Sequence, residues 1–172
     1  MAIGMETNKK KQSFTQFKKR DMGLDMYLSR KKYVKNWSHT PADKRFQGVA
    51  FKGNQAIDLS KLSYLEFEAM YWRKVNAIHN WFVENVQNGA DDCGTYYVTH
   101  DQIEQLILTI ERVLEKKDDE EAQALLPPSE GFFFGSTEKD DYYWDMLTET
   151  RWKLKEDYEA NPNDEYYYHA SW

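Results

Sequence analysis

Residues 71–94, YWRKVNAIHNWFVENVQNGADDCG, decide how the rest of the chain is read, because the hydrophobic period changes within them. Over 72–87, Val75, Ile78, His79, Phe82 and Val86 fall at helical spacing and make one apolar stripe. Asn88-Gly89 is the expected stop, since glycine enters the left-handed cap conformation without steric cost. Just upstream, Leu65, Phe67 and Ala69 alternate with Glu66 and Glu68. Residues 62–70 therefore read as a strand running into the helix, although Glu, Ala and Met also favour helices. Downstream, TYYVT at 95–99 is β-branched and aromatic, hence another strand.

Working outward, 23–28 (GLDMYL) alternates apolar and polar side chains, the pattern of a half-buried strand, which Tyr33 and Val34 extend. Pro41 and its polar neighbours make 38–45 a loop, 47–52 (QGVAFK) a short strand, and Gly53-Asn54 a turn. Thr99 with Gln102 three residues on is a capping box. It opens a helix whose stripe is Ile103, Leu106, Ile107, Ile110 and Leu114. Residues 118–126 read as a short helix with acids in its first turn, ended by Pro127-Pro128. The glycine-bracketed GFFFGS at 131–136 is a buried strand or a loop plugging the core. Thr137 or Asp140 then caps a last helix carrying Trp144, Leu147, Arg151, Leu154 and Tyr158 on one side, with Glu149 and Lys153 paired at i, i+4. Asn161-Pro162 stops it. The tail at 166–172 (YYYHASW) is too aromatic to stand in water alone, so it packs as a strand or forms a contact surface.

Strands and helices mix without a βαβ rhythm. The fold class is therefore α+β: a small, mainly antiparallel sheet with about three main helices on one face. A chain of 172 residues suits one domain, placed at 22–172, and the basic stretch 1–21 reads as a disordered arm ahead of it. A single cysteine excludes an intrachain disulfide and fits a reducing compartment. No apolar run approaches the ~20 residues of a bilayer span, and no apolar segment follows the N-terminal lysines, so neither membrane nor secretion is expected. Charge is segregated: 1–52 holds 13 Lys/Arg against 4 Asp/Glu, whereas 53–172 holds 10 against 25. Such asymmetry bears on partners rather than on fold.

Several short motifs carry a resemblance. Residues 22–28 (MGLDMYL), Tyr71-Trp72-Arg73-Lys74, Ile78-His79, Trp81-Phe82-Val83, Asp91-Asp92-Cys93, and Leu125-Leu126-Pro127 with the later GFFFGST resemble a group of small uncharacterised proteins encoded by tailed bacteriophages and prophages. The likeness spans roughly 22–155. It implies an accessory gene product acting in the bacterial host cytoplasm, and it supplies no catalytic residue.

The residues offer four kinds of candidate site. His79, Asp91, Asp92, Cys93 and His100 have metal-binding atoms but no ligand spacing, so no metal and no cofactor is expected. Cys93 sits beside acids that oppose thiolate formation, which argues against a nucleophile and, with it, against an enzyme. A ligand pocket could gather Trp72, Arg73, His79, Trp81, Asp91, Asp92 and Phe133, suiting a nucleotide to be sequestered or hydrolysed. Against that, Trp72 and His79 suit a core, with Arg73 paired to Asp91 or Asp92. Finally, Asp118, Asp119, Glu120, Glu121, Asp140 and Asp141 are a solvated face or a surface that imitates a phosphate backbone. The leading expectation is a non-enzymatic protein that binds and inhibits or redirects a host factor, such as a nucleic-acid-binding protein, in host takeover or defence evasion. The nucleotide pocket is the alternative, and a virion or assembly component the second.

Overall fold

The computed structural model describes residues 23–172, so the arm expected over 1–21 lies outside the described residues. Four strands form one antiparallel sheet in the order β4-β1-β6-β5. They are β1 (Asp25–Tyr33), β4 (Tyr64–Arg73), β5 (Thr95–Val98) and β6 (Glu165–Ser171). Helices α1 (Asn76–Asn85), α2 (His100–Lys116), the short α3 (Asp119–Leu125) and α4 (Asp141–Ala160) supply the other layer. The architecture is α+β, as the pattern predicts.

Alternation makes the sheet two-faced. Met26, Leu28, Met70, Trp72, Tyr166, Tyr168 and Val98 point inward and join Ile103, Leu106, Ile110, Leu147 and Leu154 of the helices in one core. The aromatic tail is β6, inserted between β1 and β5, which is why a segment so apolar ends the chain without being wasted on solvent. The register slips between Leu28 and Ser29, leaving Ala69 unpaired; this bulge keeps Phe67 opposite Arg30 on the inner side.

Two elements differ from expectation. The central helix does not begin at Trp72: β4 runs through Arg73, which pairs with Asp25, and the helix starts at Asn76. Backbone pairing to β1 holds 71–73 in the strand, the helical stripe opening only at Val75, and Lys74, at φ 57°, turns the chain between the two elements. The short strand expected over 47–52 is only β2 (Ala50–Lys52), which pairs with β3 (Gln55–Ile57) around Gly53 at φ +61°. This hairpin is separate from the main sheet, and Val49, Phe51 and Ile57 on it are exposed.

The helix signals are used as read. Thr99 accepts from Gln102 N while the Gln102 side chain accepts from Thr99 N, closing the capping box of α2. Asp140, rather than Thr137, caps α4. GFFFGS is a loop: Phe134 is buried, Phe132 is 94 % exposed, and Phe133 holds β1 by accepting from Leu24 N at 3.0 Å. None of the described helices is long and apolar enough to cross a membrane.

Candidate functional site

Because successive strand residues face opposite sides, Trp72 and Arg73 cannot share a pocket. Trp72 is 1 % exposed and donates its indole N–H to Thr150 Oγ1 at 2.8 Å, tying β4 to α4. Arg73 lies on the outer side, bound to Asp25 at 2.9 Å rather than to Asp91 or Asp92. Trp81 packs in the core edge-on to Phe82. The pocket expected around Trp72, Arg73 and His79 is therefore not formed as one site.

His79 does meet Asp91. Its Nε2 is 3.0 Å from Asp91 Oδ1 and its Nδ1 is 2.8 Å from the Tyr168 hydroxyl. An ionised carboxylate can only accept, so Nε2 carries the proton and Nδ1 accepts from Tyr168 O–H. Burial pushes the His79 pKa down, opposed by Asp91, and burial pushes the Tyr168 phenol up. Phe134 and Trp172 stand edge-on to the imidazole, at 5.1 and 5.5 Å. Asp92 turns elsewhere, accepting from Gly94 N and the Tyr96 hydroxyl. His100 contacts Asp164 O, and Cys93 is exposed. Among the described residues no group of three His, Cys, Asp or Glu side chains could hold a metal ion.

The acids split into structural and solvent-facing members. Asp118 and Asp140 are helix N-caps, and Glu121 binds Arg112 and Lys116 at 2.5 and 2.8 Å, which holds its carboxyl below the usual range. Asp119 and Glu120 share a surface concavity with Lys139, and Asp141 shares another with Lys117. The two blocks are thus broken up by lysines and do not form an uninterrupted acidic stripe.

Two features that the sequence reading passed over stand out. The first is the outer face of the sheet, which no described element covers. It carries Tyr27, Tyr71, Tyr97, Tyr167 and His169, with Tyr71 and Tyr97 42 % and 52 % exposed. Tyr27 stacks on His169 and leans on Tyr71, Tyr97 meets Tyr167 edge-on, and Lys31 Nζ lies 4.5 Å over the Tyr167 ring. Asp25, Glu66, Glu68 and Glu165 belong to the same face and outnumber Lys31 and Arg73. The alternation that buries Met26 and Tyr168 dictates this outer set, so the signal was present.

The second is a cavity of about 250 Å³ where the end of β4, the start of α1, the 135–140 loop and α4 meet. Its wall includes Lys74, Asn76, Ser136, Tyr142, Tyr143 and Met146. Gly135, at φ +91°, is required here, since a Cβ would lie 3.1 Å from Lys74 Cβ. The Tyr142 hydroxyl donates to Arg73 O at 2.6 Å, fixing α4 against the strand end. Two motifs separated by some 60 residues, YWRK and GFFFGST, are brought together at this corner.

The fold and these two features define a two-layer α+β protein with an open, tyrosine-rich sheet face and a corner cavity. In comparisons with known proteins the chain matches no family model, no curated sequence and no solved structure.

Proposed function

We propose that this chain is a non-enzymatic accessory protein, of the phage type its motifs resemble, which docks onto a basic host protein and inhibits or redirects it. One observation carries the reading: the outer face, which no described element covers and where, among the described residues, tyrosines stand with more carboxylates than cations. Tyrosine offers a large contact area with little rotamer entropy to lose and is enriched at binding hot spots. Its ring face also attracts guanidinium and ammonium groups, as Lys31 already does within the molecule. Carboxylates around such rings favour a cationic partner and raise its rate of encounter. The exposed acids Asp119, Glu120 and Asp141 add to the long-range field, while the capping and ion-paired ones serve the fold.

The test is affinity capture of basic proteins from bacterial lysate on immobilised wild-type chain and on a Tyr71→Ala/Tyr97→Ala variant. The wild type should retain a defined basic partner at low salt and release it as screening rises, and the variant should retain none of it. Equal retention by both forms, or a partner indifferent to salt, refutes the reading.

A further inference from the structure

The corner cavity combines hydrogen-bond groups of both kinds in a small, mostly apolar space. Val75, the N-cap of α1, makes no side-chain cap, so the N–H groups of Asn76, Ala77 and Ile78 have no partner within the helix, and Val75, Asn76 and Ala77 form cavity wall. Lys74 stands beside this positive helix end. Asn76 is 4 % exposed, and its Nδ2 donates to Phe134 O at 3.1 Å and Ser136 O at 2.8 Å. Those two bonds fix the amide orientation. Its Oδ1 accepts no hydrogen bond among the described residues and is not sealed from solvent, so this acceptor is open to a donor at the cavity wall. Glu138 and Asp140 add two carboxylates to the same wall. Asp140 uses one oxygen to cap α4 through Tyr143 N.

A bare anion would satisfy the helix end and Lys74 but leave Asn76 Oδ1 and the carboxylates facing it. A bare amine would do the opposite. We infer that the cavity binds a small zwitterion of the α-amino-acid type with an apolar side chain. The ligand carboxylate takes the first-turn N–H groups of α1 and Lys74. Its ammonium donates to Asn76 Oδ1 and meets Glu138 and Asp140, and its side chain lies against Val75, Tyr143 and Met146. The volume suffices: about 250 Å³ exceeds the ~150 Å³ of a hydrocarbon cavity that takes up benzene. Tyr143 is buried with its hydroxyl bound to Leu126 O, so it presents a fixed apolar ring to the ligand. This inference is independent of partner docking on the sheet face, which uses other residues.

Calorimetry and thermal shift on the 172-residue chain test it, with L-phenylalanine as probe and 3-phenylpropionate, phenethylamine and inorganic phosphate as controls. L-Phenylalanine should bind saturably and raise the melting temperature, because a ligand of the native state stabilises it. The two analogues lacking one charge, and phosphate, should each bind at least about tenfold more weakly. Met146→Trp fills the cavity and should abolish binding; Glu138→Gln, at an exposed position that leaves the fold intact, should weaken it about tenfold. The inference is overturned if L-phenylalanine, L-leucine and L-methionine all fail to shift melting at about 10 mM. It is equally overturned if phenylpropionate or phosphate binds as tightly as the amino acid, or if Glu138→Gln leaves the affinity unchanged.

Discussion

His79 is held at both ring nitrogens, by Tyr168 on β6 and by Asp91 in the loop after α1, so one side chain ties three segments together. Its pKa is lowered by burial, which outweighs the opposing pull of Asp91. In the unfolded chain the imidazole takes up a proton at its ordinary pKa of 6.5; in the folded protein it resists until lower pH. The unfolded state therefore binds more protons across that window, and stability falls as pH drops from ~7 to ~5.5. Melting temperature measured over that range should decline in the wild type and decline less steeply in His79→Gln; identical slopes would show that His79 is not the titrating group. The position of His79 on the apolar stripe was legible in the sequence. Its partnership with Tyr168, 89 residues away, was not, because no local pattern reports which strand lies beneath a helix.

At the scale of elements, the buried Arg30 joins β1, α4 and the entry to β6. It reaches Asp157 at 3.1 Å, forms a close ion pair with Asp164 and lies 4.4 Å over the Phe67 ring. Removing one member leaves a buried carboxylate unpaired, so Arg30→Met should cost about 3–5 kcal/mol in urea unfolding. A loss below about 1 kcal/mol would mean that water reaches Asp164 freely. The capping box makes a smaller, separable contribution: Thr99→Ala should cost about 1 kcal/mol, read from the denaturation midpoint with an unchanged slope. Such caps are visible in sequence because their donors and acceptors lie three residues apart. The start of α1 was misread for the complementary reason. Residues 72–73 adjoin the apolar stripe that opens at Val75 and show no helical period of their own; their backbone is claimed by β1, some 46 residues earlier in the chain.

For the whole molecule, the layout separates a core-bearing sheet and helix layer from an appended hairpin. β2 and β3 pair only with each other, and Val49 and Phe51 are 87 % and 63 % exposed. Phe51→Ser should change global stability by less than about 0.5 kcal/mol, because little apolar surface there is removed from water on folding. A larger loss in denaturant unfolding would show that the hairpin folds as part of the core. Amide exchange on the hairpin should also be fast relative to β1 and β6, whose bonds lie between other strands.

The chain by itself determined the α+β class, the capping box of α2, the left-handed turn at Asn88-Gly89 after α1 and the half-buried alternation of β1, since all of these rest on periodicity and on partners a few residues apart. Only the tertiary structure decided that β6 lies between β1 and β5, that Arg73 turns to Asp25, and that Lys74 and Asn76 meet the GFFFGST loop around one cavity. Each of these depends on contacts between distant segments, whose selection reflects the packing of the whole core rather than any local preference of the residues involved.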